Sequence, residues 1–202
     1  MERELYDEMI SVPRAARFPI ELRVPRGFRP DDPSTWPRLD GRLEYVGGRL
    51  LYMPPCADMQ ADVVPSIVAL LVTWAQTHPE FVVSTNEAGM ILGGDTRGAD
   101  AAVWRRAEVA PYTGKYRRVP PVLAAEVAGD DEEEERLRAK ARWYLDHGVA
   151  VVWLVLPEAR EVIVLIAEDE HRYGGSEQLP ANASLPDLEP TADRFFHQLP
   201  IR

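Results

Sequence analysis

Three side chains have the types and spacing to do chemistry: Asp100 in GADAAVW, Glu126 in VLAAEVAGDD and Lys140 in ERLRAKARWY. Read with period two, Val122, Ala124, Glu126 and Ala128 share one face of a strand, and Leu123, Ala125 and Val127 share the other. Asp100 shares a face with Ala102 and Trp104 in the strand before it. An ionised carboxylate in an apolar layer is costly unless it is paired, hydrogen-bonded or metal-bound. Lys140 lies on a helix whose apolar stripe is Leu137, Ala141 and Tyr144, so it flanks the packed face. Two carboxylates from adjacent strands, with an ammonium from the covering helix, would suit a hard divalent cation, Mg²⁺ or Mn²⁺. The backbone carbonyl of Val127 would add an oxygen ligand. Such a set suits phosphodiester hydrolysis, which needs an activated water and a stabilised anionic transition state. Each residue alone also has a plainer reading: Asp100 as a turn cap, Glu126 as a half-exposed strand residue, Lys140 as a solvated helix residue.

The flanking elements are those of an α/β chain with a mixed sheet. LEYVGGRLLYMP reads as a hairpin turning at Gly47-Gly48. A helix follows to near His78, with Val64, Ile67, Val68, Leu71 and Ala75 on one stripe. With Asp62 as N-cap, Pro65 falls in its first turn; with a start at Asp58, Pro65 should kink it. FVVSTNEAGMILGG reads as two strands and GADAAVWRR as a third. The run DDEEEE at 130–135 begins a helix through Asp146, with acids first and bases later, as the helix dipole prefers. VAVVWLVLP is a strand buried on both faces, REVIVLIAEDEHRYGG a closing hairpin, and LPDLEPTADRFFHQLP a short terminal helix. Residues 1–40 are proline-rich and form an irregular arm with one short helix before Pro13; residues 41–202 form the domain.

Bulk properties narrow the classes. No apolar run reads as a bilayer span, no signal-peptide core is visible, and one cysteine, Cys56, excludes an intrachain disulfide framework. A cytoplasmic setting without membrane contact is the expectation. The four histidines lack zinc spacing, and no phosphate-cradling glycine motif occurs. The net charge of −10 argues against nonspecific binding to a nucleic-acid backbone, although bases cluster locally, as in Lys115, Arg117 and Arg118.

In order along the chain, LEYVGGRL, YMPPCADMQ, GADAAVW, LAAEV, the helix carrying Lys140 and HGVAVVWLVLPEAREVIVL resemble the Uma-two family of restriction-endonuclease-like proteins in the PD-(D/E)XK nuclease superfamily. The resemblance implies a restriction-endonuclease-like core, a mixed central sheet flanked by helices, and metal-dependent cleavage of DNA. It places Asp100 and Glu126 on the metal-binding acids, Lys140 on a lysine migrated to the next helix, and Glu44 on the first glutamate of the opening hairpin. It also implies a homodimer. Ala99 replaces a proline, Met59 a histidine, Gly129-Asp130-Asp131 a Ser-Pro-Ser-like turn and Arg49 an acid. A rival reading is a nuclease-fold module that binds nucleic acid or oligomerises without cutting. A basic groove converging on Asp100 and Glu126 would speak for the nuclease. A uniformly acidic rim, or a site plugged by Trp104 or the N-terminal arm, would speak for the rival.

Overall fold

Gly47 and Gly48 take φ of 57° and 80°, the left-handed pair that a two-residue hairpin turn requires. They join β2 (Arg42–Val46) to β3 (Arg49–Met53). The computed structural model describes residues 18–53, 55–129 and 132–200; the short helix expected before Pro13 lies outside the described residues. The other strands are β1 (Ile20–Leu22), β4 (Phe81–Leu92), β5 (Asp95–Arg105), β6 (Leu123–Val127), β7 (Val151–Leu156), β8 (Glu161–Ile166) and β9 (Asp169–Gly174). Helices are α1 (Asp58–Ala75), the single turn α2 (Arg106–Val109) and α3 (Glu134–Asp146); short 3₁₀ turns cover Pro33–Thr35 and Ala192–Phe196.

The fold is α/β with a mixed central sheet of nine strands, antiparallel everywhere except the β6–β7 pair. Helix α1 packs Val63, Ile67, Leu71 and Trp74 on the face formed by Ala101, Val103, Leu123, Ala125 and Val127. Helix α3 packs Leu137, Ala141 and Tyr144 on the opposite face, against Ala102, Trp104, Ala124 and Val152. The faces therefore alternate over residues 101–104 and along β6 as period two dictates. Ala99 joins Ala102 and Trp104 in the α3-side cluster, so the alternation breaks at Asp100, whose carboxylate meets Gln60 of α1. By length and composition α1 could cross a membrane, but here its apolar stripe is the core side of a sheet-packed helix. The described part of the N-terminal arm is tied down: β1 pairs with β3, and Leu22 and Trp36 pack with Leu50.

One local reading needs correction, and one open alternative is decided. Residues 81–92 form one strand and not two, because a bulge between Thr85 and Ala88 absorbs the polar interruption without ending the pairing with β5. Helix α1 starts at Asp58 with Ala57 at its N-cap, so Pro65 lies inside the helix beyond the first turn.

The sheet branches. Strand β5 pairs with β4 along its length, with β2 only at Thr96, and with β6 over Ala101–Val103. A strand has two hydrogen-bonding edges, so β2 and β6 must share the edge opposite β4. Residues 97–100 lie in the gap where these two half-sheets part, and that fork positions the site.

Candidate active site

Asp100 stands in the fork opposite the β4 bulge, where Ala99 pairs with Ala88 and Ala101 with Thr85. The Thr85 hydroxyl donates to the Asp100 carbonyl at 2.8 Å, which fixes the backbone there. Its carboxylate takes the Val127 N–H on Oδ2 at 2.8 Å. Gln60, reaching in from the first turn of α1, donates through Nε2 to Oδ1 and Oδ2 at 3.3 and 3.2 Å, and to the Val127 carbonyl at 3.1 Å. Arg42 Nη1 lies 3.4 Å from Oδ1 on the β2 side.

Glu126 points to the other face of β6, towards α3. Tyr144 donates its hydroxyl to Oε1 at 2.6 Å, and Lys140 Nζ donates to Oε2 at 2.9 Å. The same ammonium reaches Glu44 Oε1 at 3.0 Å and the Gly98 carbonyl at 3.0 Å. An ammonium has three protons, and here all three have acceptors. Glu44 also accepts from the Gly98 N–H at 3.4 Å and faces Arg97 at 3.8 Å. The carboxyl-bearing residues and the amide are recessed: Glu44, Gln60, Asp100 and Glu126 are 5%, 4%, 6% and 4% exposed.

This environment sets the proton affinities. Burial pushes the Glu126 carboxyl up to about 8, with Asp100 and Glu44 adding to the rise and Lys140 and Tyr144 opposing it. Burial works against the Lys140 ammonium, yet Glu126 and Glu44 hold it well above the ordinary lysine value. Burial raises the Tyr144 hydroxyl well above the usual phenol range, with Glu126 adding to it, so it remains a donor.

Every sequence-predicted site residue lies at the fork: Asp100, Glu126, Lys140, Glu44 and the Val127 carbonyl. Glu44 serves as a counter-charge to Lys140 and Arg97. Gln60, Tyr144 and Arg42 escaped the sequence reading. Gln60 was legible in principle: it precedes Val63, Ile67, Leu71 and Trp74 at helical spacing, a polar residue on the buried stripe. Tyr144 was assigned to apolar packing alone. Met59 packs partly buried against the α1-side core. Asp130 and Asp131 of the altered turn lie outside the described residues, whereas Gly129 donates its N–H to Glu132 at 3.4 Å. The rim is not uniformly acidic, since Arg42 and Arg97 stand at the fork. Trp104 does not plug it; the indole is buried and donates to the Val119 carbonyl at 3.0 Å.

Among the described residues, no three His, Cys, Asp or Glu side chains close around a common point. The fit of a divalent cation therefore rests on carboxylate and carbonyl oxygens together. The Gln60 nitrogen shows that such a point exists: both Asp100 oxygens and the Val127 carbonyl converge on one donor within 3.3 Å. An all-oxygen donor set of this kind fits a hard cation.

Comparisons with known proteins bear on the fold and the family. A solved structure described as that of "a putative nuclease belonging to DUF820" from Anabaena variabilis ATCC 29413 superimposes with a TM-score of 0.73 at 14% identity, covering 82% of this chain and 96% of that one. At that identity the likeness shows the fold. No curated protein matches. The model of the Uma2 family, described as "Putative restriction endonuclease", matches residues 30–195, well over half of the chain. The protein belongs to the Uma2 family of restriction-endonuclease-like proteins.

Proposed function

We propose that the fork is the active centre of a metal-dependent deoxyribonuclease that hydrolyses DNA phosphodiester bonds. The observation that carries this reading is the convergence of the Asp100 carboxylate and Val127 carbonyl on the Gln60 nitrogen, next to the buried Glu126–Lys140 pair. Asp100, Glu126 and the Val127 carbonyl would hold Mg²⁺ or Mn²⁺. When bound, such an ion supplies a Lewis acid for a phosphoryl oxygen and lowers the pKa of a coordinated water.

The chain's own groups do the rest. Tyr144 and Lys140 between them hold both Glu126 oxygens at the fork. Lys140 stays protonated between Glu126 and Glu44. By releasing the Gly98 carbonyl it would free a proton to orient the attacking water or to bind a phosphate oxygen. Glu44 keeps the ammonium in place as Glu126 turns to its ligand role. Arg42, against Asp100 on the β2 side, offers a guanidinium to the phosphate. Hydrolysis adds hydroxide to phosphorus and returns a proton to the leaving oxygen. The proposal includes a homodimer, as the resemblance implies, acting in the cytoplasm, as the single cysteine and the lack of a signal-peptide core lead one to expect.

One observation favours a second reading, a nuclease-fold module that binds nucleic acid without cutting it. The point where a cation would sit is filled by the Gln60 amide, and the acids around it are closed off from solvent. Incubation of plasmid and linear DNA with the wild type in Mg²⁺ or Mn²⁺, against EDTA and against Asp100→Asn and Lys140→Met proteins, separates the two. Metal-dependent cleavage lost in both variants is the expected result. Cleavage equal in all three would remove the fork as the cutting site, and none in any while DNA is still bound would favour the second reading.

A further inference from the structure

The fork opens on its β2 side into a cleft of about 570 Å³, walled by residues 36–43 and by Thr96, Arg97 and Gly98 of β5. Arg42 and Arg97, which face Asp100 and Glu44, form its inner end. A second cleft of about 730 Å³ lies beneath the loop of residues 108–119. Gly89 and Tyr116 belong to both walls, so the two form one groove leading away from the acids.

Its charge is opposite to that of the protein. The chain carries 23 Lys and Arg against 33 Asp and Glu. Among the described residues the groove's walls carry six bases, Arg38, Arg42, Arg97, Lys115, Arg117 and Arg118, against two acids, Asp40 and Glu108. Arg117 lies over the Trp104 ring at 4.1 Å, and Arg118 meets Asp31 at 3.1 Å. Arg38 and Lys115 are exposed and make no ion pair among the described residues. An acidic body with one basic groove steers a polyanion to that groove.

Aromatic rings are interleaved with these bases. Tyr112 is 76% exposed on the outer wall. Tyr116, at the junction of the clefts, is backed edge-on by Trp36 at 5.5 Å. Basic residues that follow a phosphate backbone, alternating with rings on which bases stack, bind unpaired strands; a duplex keeps its base faces in its own stack. Reading a duplex through its major groove takes a helix or ribbon that enters it. The helix at this wall, α2, has only four residues.

We propose that this groove holds a single strand of DNA, with Arg38 and Lys115 on phosphates and Tyr112 under a base, and leads it to Asp100 and Glu126. The assignment rests on the reading of the fork as a deoxyribonuclease.

The test is fluorescence anisotropy in EDTA, with labelled oligo-dT of about 20 nucleotides and a duplex of equal length. The wild type binds the single strand at least about tenfold more tightly than the duplex. Tyr112→Ala weakens strand binding about tenfold. Lys115→Gln reduces the slope of log affinity against log salt by about 0.7. Both positions are exposed, and unchanged melting temperatures certify the fold of the variants. Equal affinity for duplex and strand, no binding at all, or both variants binding like the wild type overturns the groove. Because binding is read without metal, the two readings fail separately. Tyr112-dependent strand binding in a protein that cleaves no DNA leaves the groove and removes the nuclease. Metal-dependent DNA cleavage with affinity unmoved by either substitution does the reverse.

Discussion

The side-chain nitrogen of Gln60 lies 3.3 and 3.2 Å from the two carboxylate oxygens of Asp100, and both residues are buried. A neutral amide thus satisfies in the metal-free protein the acceptors that a cation would take. For metal to enter, the amide must turn and present its oxygen or withdraw. Gln60→Glu puts a third carboxylate against Asp100. In EDTA the variant loses about 1–3 kcal/mol of stability, because a buried donor becomes an acceptor facing an acceptor. With Mn²⁺ the order reverses, and affinity rises about tenfold with the added ligand charge. Thermal melts with and without Mn²⁺ check both.

Lys140, its side chain 14% exposed, lies between Glu126 at 2.9 Å and Glu44 at 3.0 Å. Lys140→Met keeps an unbranched apolar stem one atom shorter and leaves both carboxyl groups without their ammonium. It costs about 3–5 kcal/mol, the range for breaking one partner out of a buried ion pair. Denaturant unfolding measures it, and Lys140→Met combined with Glu44→Gln recovers part of the loss by removing the carboxylate that the ammonium also faces.

The Glu126 carboxyl, pushed up to about 8 by burial, has an ordinary value of 4.5 when unfolded. Between these values the unfolded chain has released this proton and the folded chain has kept it. The folded state therefore binds more protons, and stability of the metal-free protein falls as pH rises through that window. The contribution is full below about 4.5 and lost above about 8. Glu126→Gln removes the slope. Melting temperatures in EDTA across this range, compared between wild type and variant, supply the check.

Tyr144 donates to Glu126 Oε1 at 2.6 Å. Tyr144→Phe leaves the ring's packing on α3 and deletes one donor to a buried carboxyl. A loss of about 1–3 kcal/mol in chemical unfolding is expected. The carboxyl rises further in pKa, since the hydroxyl was one of the groups lowering it. The fall in stability with pH then extends to higher pH than in the wild type.

The strands and the triad were legible because period two and the motif order act over a few residues. Glu126 in LAAEV and Asp100 in GADAAVW announce themselves as acids among apolar neighbours. Periodicity assigns a side chain to a face, but it says nothing about which strand lies on which edge. The fork, with β2 and β6 on the same edge of β5, therefore had no signature in the sequence. The break read into residues 81–92 reflects a bulge, whose polar residues resemble a turn until the partner strand is seen. Gln60 was passed over because polar residues in the first turn of a helix usually face water. Lys140 and Tyr144 were placed on one helix side by spacing, but their common target, Glu126, comes from packing.

The most direct measurement is calorimetric titration of Mg²⁺ and Mn²⁺ into the wild type and into an Asp100→Asn, Glu126→Gln double variant. Each substitution keeps the side chain's size and removes its charge, so a folded protein can be compared with a folded protein. Saturable binding by the wild type, absent from the variant, is the predicted result. Identical heats from both proteins would contradict a cation site at the fork.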